Sequence, residues 1–294
     1  MVSYAAMNSA PQLRTLLVLG RVSNLPTVWS NCLAGWWLGG GGIFWKLPFL
    51  LSGVSLLYTA GMFLNDAFDE GFDRQRRAER PIPSGKISAR RVWQLGFVQL
   101  ALGLLLLLAC GKTAVVAGVW LVFFILLYDF THKIFTASPW LMGACRFWVY
   151  VIAGATGAGG LNGFVIFSGL ALAFYVVGLS YVARRESFRG PVSFWPLLLL
   201  AAPIILALAI NVAEYRKAAL WISAVLLLWL VRCLRTTFFG GERNVGWLVT
   251  NLLAGIVFAD WLAVAPIIPP ASNALVFVAL FGLTKWFQKF IPAT

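Results

Sequence analysis

Histidine is nearly absent from this chain: His132 is the only one in 294 residues. A His-based catalytic triad or a His-cluster metal site therefore has almost no material. Cysteine is scarce as well. Cys32, Cys110, Cys145 and Cys233 stand singly in apolar segments with no CxxC or Cys/His spacing, the pattern of small buried hydrophobes rather than of zinc or redox chemistry. Charge is thin: only 11% of residues are Asp, Glu, Lys or Arg, against roughly 25% in a soluble domain. With 61% hydrophobic residues and a mean hydropathy of +0.85, an ordinary water-soluble domain is excluded. No glycine pattern precedes a strand, so no nucleotide-binding loop is implied. The net charge of +13 could suggest nucleic acid, but the basic residues sit in short loops between apolar runs. A membrane explains that placement better, and no nucleic-acid partner is expected.

What the chain has in abundance is apolar sequence. Gly, Pro and charged residues separate ten apolar stretches, at approximately 15–39, 47–66, 91–110, 113–130, 139–158, 163–183, 194–212, 217–238, 245–264 and 271–290. Each is near the roughly 20 residues a helix needs to cross the hydrocarbon core, and in lipid such runs satisfy their backbone as helices. The expected fold is all-α, a polytopic transmembrane bundle of nine to ten helices in a single domain over 1–294. Ten becomes nine if Ala265–Ser272 is a re-entrant bend. The first stretch opens with Arg14 and Arg21 and leads into no cleavage site, so it reads as a retained span. With the N-terminus inside, 19 of the 23 Lys and Arg residues fall on the inner side, which sets the orientation.

Acidic residues are few and clustered. Of ten in the chain, Asp66, Asp69, Glu70, Asp73 and Glu79 lie within one 14-residue window. Asp66, Asp69 and Asp73 stand at i, i+3 and i+7, so on a helix their carboxylates share one face, where like charges repel unless a cation joins them. Asp66 directly follows an apolar run, a costly place for a carboxylate and by default a functional one. Three carboxylates and the Asn65 amide oxygen are hard ligands suited to Mg²⁺, and the basic run from Arg74 to Arg91 could meet the rest of a diphosphate. The plainer alternative is a solvated loop in which acids and arginines pair.

The pattern Asn65-Asp66-x-x-Asp69-x-x-x-Asp73, followed by Arg80-Pro81, Pro83 and Gly85, resembles the first Asp-rich motif of the UbiA superfamily of intramembrane prenyltransferases. Arg21-x-x-Asn24-x-Pro26-Thr27 is similar to that family's opening segment, Tyr128-x-x-x-x-Lys133 to its Tyr/Lys segment, and Arg146 with Gly154 to its fifth helix. A narrower likeness, to the EboC-like branch, rests on Tyr181-x-Ala183-Arg184-Arg185-Glu186, Ser138-Pro139 and Met142-Gly143-x-Cys145-Arg146. The sequence departs from the family where a second Asp-rich motif usually stands: Tyr181–Glu186 contains no Asp, and only Glu186 could serve there as a metal ligand.

The resemblance implies an enzyme that moves a prenyl group from a prenyl diphosphate to a lipophilic or small acceptor, with Mg²⁺ as cofactor. Asp66, Asp69, Asp73 and Lys133 would be catalytic. Asn65, Asp66, Asp69, Asp73 and Glu186 would hold the metal. Arg21, Asn24, Asn65, Arg80, Tyr128, Arg146, Tyr181, Arg184 and Arg185 would bind substrate, Arg184 and Arg185 replacing the charge of a second metal. Asp129 is either a base, a further ligand or the i, i+4 partner of Lys133, and Asp260 reads as a structural hydrogen-bonding group. The implied location is a bacterial plasma membrane, multi-pass, with the N-terminus and acidic motif on the cytoplasmic side. Two rivals stay open: a transporter or flippase of an anionic or lipid-linked substrate, and a cyclase or diphosphatase on the same fold.

Overall fold

The computed structural model describes residues 13–184, 195–211, 214–238, 244–267 and 270–293, and every regular element among them is helical. A short α1 (Leu13–Leu19) leads through one 3₁₀ turn (Val22–Asn24) into α2 (Leu25–Leu38). Then come α3 (Leu47–Phe68), a two-turn α4 (Glu70–Arg76), α5 (Ala89–Leu107), α6 (Lys112–Thr131) and α7 (Ser138–Thr156). The second half holds α8 (Gly163–Arg184), the short α9 (Trp195–Leu199) and α10 (Ala202–Ile210), α11 (Glu214–Phe238), α12 (Val245–Val264) and α13 (Pro270–Phe287). Helix starts follow local chemistry. Pro26, Pro48 and Pro139 open α2, α3 and α7, where a missing N–H costs nothing. Ser88 and Asn244 cap α5 and α12 by accepting from the backbone N–H of Arg91 and Trp247.

α3, α5, α6, α8, α11 and α12 are long and apolar enough to cross a membrane. That is fewer than the nine to ten spans expected, for physical reasons visible in particular segments. The 15–39 stretch breaks at Arg21, the one non-glycine residue with positive φ among those described (φ 43°), leaving α2 only 14 residues long. The 194–212 stretch breaks between α9 and α10, just before Pro203. α7 has the length, 19 residues, but Arg146 interrupts its apolar run. Within the Ala265–Ser272 segment, α13 starts at Pro270 as a separate helix with a shorter apolar stretch, Ser272–Phe287.

The buried side chains fall into two main cores. One gathers α2, α3, α5, α6 and α7 around Leu57, Leu107 and Leu121; the other gathers α8, α10, α11, α12 and α13 around Leu172, Leu226 and Phe277. α2 and α7 contribute to both and form the seam. They approach closely because glycines meet there: a Cβ on Gly39 would lie 2.2 Å from the Gly154 carbonyl oxygen, and one on Gly157 would lie 2.3 Å from that of Gly39. Backbone bonds from Gly159 and Ala158 to Gly39 and Gly41 lock the contact. A third, smaller core of Leu19, Phe63, Ala67, Ile82, Ile87 and Val92 sits at one end of the bundle and anchors the 77–88 loop.

Candidate active site

The acidic window lies where α3 runs out. α3 ends at Phe68, yet the backbone bonds Asp69 N to Asn65 O and Asp73 N to Asp69 O carry the helical pattern through into α4. Asp66, Asp69 and Asp73 thus keep the expected i, i+3, i+7 placement and are all buried. What the spacing alone could not supply is their set of partners. Arg80, on the loop whose Ile82 and Ile87 pack into the small third core, donates from one nitrogen, Nη1, to Asp66 Oδ1 and to Asp73 Oδ2, 3.0 Å in each case. Arg21 reaches Asp66 Oδ1 from the other side at 3.3 Å and Met62 Sδ at 3.5 Å. Its left-handed backbone is a local strain of the kind that clusters at functional sites, and it turns the chain between α1 and α2 next to this cluster.

Asp69 faces the end of α6. His132 Nε2 lies 3.2 Å from its Oδ1 and Lys133 Nζ 3.1 Å from its Oδ2. Lys133 also sits 3.5 Å over the Phe72 ring, a cation–π contact. His132 stacks on Tyr128, and its Nδ1 faces the carbonyls of Tyr128 and Asp129. Both ring nitrogens therefore face acceptor oxygens. Burial pushes the Asp69 carboxyl up, but the hydrogen bond and charge of His132, then those of Lys133, outweigh it and hold the group below the usual carboxylate range. Asp73 moves the other way: burial raises it, Arg80 opposes the rise, and the charges of Asp69 and Asp66 add to it.

Asn65 donates from its amide nitrogen to Asp129 Oδ1 at 3.2 Å. Asp129 is accordingly not the partner of Lys133. Its Oδ2, and Oδ1 of Asp73, are buried with no hydrogen-bond partner, and such atoms call for an occupant or a function.

Other expected site residues are placed elsewhere. The Arg184 guanidinium, far from facing the acids, is spent on the α6–α7 loop: it donates to the carbonyls of His132, Thr136 and Phe135 and to the Ser138 hydroxyl. It thereby fixes the loop that carries His132 and Lys133. Tyr181 packs edge-on against Trp195. Asn24 donates to the Ala293 carbonyl at 2.9 Å. Arg185 and Glu186 lie outside the described residues.

Arg146 belongs to a separate buried network along the α2–α7–α12 seam. It donates to Asn31 Oδ1 at 2.6 Å and to Thr27 Oγ1 at 3.3 Å, with its guanidinium 5.8 Å from the Tyr58 ring. Asn31 in turn donates to Asp260 Oδ2 at 2.6 Å, joined there by Ser30, while Tyr150 donates to Asp260 Oδ1. Asp260 is fully buried, with both oxygens engaged, in the hydrogen-bonding role read for it from the sequence.

Sequence reasoning missed His132, discounted because no second histidine exists to form a cluster. Its position beside Lys133 and four residues after Tyr128, one helical turn, was the available signal.

The donors near α4 are hard oxygens, the chemistry magnesium selects. Among the described residues no three His, Cys, Asp or Glu side chains converge as a ready metal cage. Magnesium asks for less, since it is usually bound by one or two carboxylates with waters and substrate phosphates. The unpartnered Asp73 Oδ1, beside Asp66 in the shared grip of Arg80, fits that requirement.

A family model, the UbiA prenyltransferase family, matches residues 25–290. Among curated proteins, the chain is 34% identical over 128 residues to 4-hydroxybenzoate octaprenyltransferase of Pectobacterium atrosepticum, covering 42% of each chain. It is 29% identical over 155 residues to digeranylgeranylglyceryl phosphate synthase of Methanosarcina mazei, covering 49% of this chain and 46% of that one. The matches thus span less than half the length of these relatives. Solved structures share the fold at low identity. An apo UbiA homologue from Aeropyrum pernix K1 aligns with TM-score 0.65 and 18% identity, over 85% of this chain and 99% of that one. A UbiA homologue from Archaeoglobus fulgidus bound to GPP and Mg²⁺ aligns with TM-score 0.63 and 15% identity, over 92% and 99%.

Proposed function

Since the chain belongs to the UbiA prenyltransferase family, we propose that it is an intramembrane, Mg²⁺-dependent prenyltransferase of a single domain, with its diphosphate site at the junction of α3 and α4. The observation that carries this reading is the meeting of three buried carboxylates with Arg21, Arg80, His132 and Lys133 at one end of the bundle. A diphosphate with its metal has both signs of charge, and a site for it needs both. Arg21 and Arg80 offer fork-shaped donors matched to phosphate oxygens, and Lys133 a mobile point charge.

In the proposed reaction the bond from C1 of the prenyl chain to the diphosphate oxygen breaks, and its electron pair leaves with the diphosphate. An acceptor nucleophile forms the new bond to C1, and a base takes the proton it releases. Asp73 and Asp129 are the candidate bases, each with a buried oxygen free of hydrogen bonds. Arg80 and Lys133, already positioned by their carboxylate partners, would stabilise charge as it develops on the leaving group. Mg²⁺, held by Asp66, Asp69 and Asp73 with a contribution from Asn65 or Glu186, would supply Lewis-acid stabilisation of the same charge. Arg184 acts one step removed, as the clamp on the loop that presents His132 and Lys133. The asymmetry of Lys and Arg supports an orientation with the acidic motif on the cytoplasmic face, and the family resemblance supports a bacterial plasma-membrane location.

The test is acceptor-dependent release of inorganic diphosphate from geranylgeranyl diphosphate in nanodiscs. The first acceptors to try are 4-hydroxybenzoate and a prenylglyceryl phosphate, after the activities the relatives are named for. Release that consumes an acceptor one for one supports transfer. Release without any acceptor consumed would contradict it and favour hydrolysis or cyclisation.

A further inference from the structure

A second charged cluster lies between α11, α12 and α13, and among the described residues its cations have no carboxylate partner. Lys285, near the end of α13, donates to Asn251 Oδ1 at 2.9 Å and to Gln288 Oε1 at 3.2 Å. Gln288 is itself tied to the Thr250 carbonyl, and Asn251 to that of Trp247, so the Lys285 ammonium is held in one place. Trp229 of α11 donates to the Asn251 carbonyl at 2.9 Å, and its ring carries the Arg232 guanidinium at 5.4 Å. Trp229 thus links the two cations, touching Arg232 with its ring and, through its N–H, the Asn251 that holds Lys285, and Arg235 lies one turn beyond Arg232. Among the described residues no carboxylate pairs with Arg232, Arg235, Lys285 or Lys289. Like charges brought together on a scaffold this specific repel each other unless an anion joins them.

The surroundings identify the anion's carrier. Arg232 is exposed on a helix whose neighbouring Leu228 (69% exposed) and Val231 (49%) are exposed apolar side chains, and Trp286 is exposed on α13 beside Lys285. That surface meets hydrocarbon chains, with tryptophans at the level where headgroups begin. We propose that Arg232 and Lys285 form a binding site for the phosphate of an anionic phospholipid headgroup, seated between the ends of α11 and α13 with its chains lying along α11. Basic pockets between membrane helices take such headgroups, each Lys or Arg contributing near the surface. Asn251 and Gln288 are positioning residues that orient Lys285. The site involves none of the residues of the proposed diphosphate site.

Native mass spectrometry of the purified full chain, offered phosphatidylglycerol and phosphatidylcholine in the same detergent, tests this. The wild type is expected to retain phosphatidylglycerol roughly tenfold better or more. Arg232→Gln/Lys285→Gln is expected to lose that preference, while Arg74→Gln, which removes an exposed cation elsewhere, keeps it. Arg232→Gln alone, at an exposed position, is expected to lose most of the preference and serves if the double variant does not fold, while Lys285→Arg, which keeps the charge, is expected to retain it. Equal retention of both lipids by the wild type, or a preference unchanged in the double variant, would overturn the site. Loss of the preference in millimolar inorganic phosphate at constant ionic strength would overturn the lipid reading in favour of a soluble anion.

Discussion

Among the described residues carboxylates are buried in two places, and these are built differently. Around Asp260, deep on the α2–α7–α12 seam, every oxygen is used: Tyr150 takes one, and Ser30 and Asn31 the other, all through donors with no net charge. At the α3–α4 junction the acids face cations directly, one Arg80 nitrogen is shared between two of them, and oxygens of Asp73 and Asp129 are left without partners. A satisfied network is what holds helices together. An unsatisfied one that balances strong charges is what a polar ligand can enter. The two sets of buried acids therefore teach opposite lessons, and the number of unfilled hydrogen-bonding positions separates them better than burial does.

The comparison can be broken most sharply at Asp260. Asp260→Leu leaves Tyr150, Ser30 and Asn31 without their acceptor and Arg146 without its indirect counter-charge. Breaking a buried network of this kind costs about 3–5 kcal/mol, so the thermal midpoint in detergent should fall steeply. A variant as stable as the wild type would remove the structural role assigned here. The α3–α4 junction, the mouth of the proposed site, should show the reverse pattern. Asp66→Asn/Asp69→Asn is expected to cut prenyl transfer by about 10²–10³ with only a modest change in thermal midpoint, and equal losses of stability at the two sites would erase the distinction. Chelating magnesium with EDTA should reproduce that loss in the wild type and add little in the double variant.

Smaller changes sharpen the picture. Arg184→Gln removes the clamp on the His132–Ser138 loop without touching the acids. We expect KM for the prenyl diphosphate to rise by about an order of magnitude, with a stability loss of about 1–2 kcal/mol, typical of a broken local network. A fall in kcat alone would instead place Arg184 in contact with the reacting diphosphate, as the sequence suggested. Least of all, Arg74→Gln breaks an exposed i, i+4 pair with Glu70 and should move stability by no more than about 0.5 kcal/mol.

Much of this was legible in the sequence, for physical reasons. Acids are expensive at the edge of an apolar run, so the spacing of Asp66, Asp69 and Asp73 stood out, and hydropathy marked the helical class. What depends on neighbours distant in the chain was hidden. The fold of the 77–88 loop brings Arg80 back fourteen residues to Asp66, and no local pattern encodes that return. Arg21 was visible as a residue but not as a left-handed break, since left-handed backbone is rare outside glycine. Asp129 and Lys133 stand at i, i+4, yet each prefers a partner on another element, Asn65 and Asp69. Arg184 could be read only as a charge near the mouth; its actual partners are backbone carbonyls, which a sequence does not distinguish.

The most direct measurement is binding of farnesyl thiolodiphosphate, a non-hydrolysable substrate analogue, in nanodiscs with and without Mg²⁺, using the wild type, Asp66→Asn/Asp69→Asn and Asp260→Asn in parallel. Binding that requires Mg²⁺, disappears in the Asp66/Asp69 variant and persists in whatever fraction of Asp260→Asn folds is the predicted result. Weak binding that is the same with and without metal in both the wild type and the Asp66/Asp69 variant would contradict it, leaving the acids at the mouth as a structural ion-pair cluster.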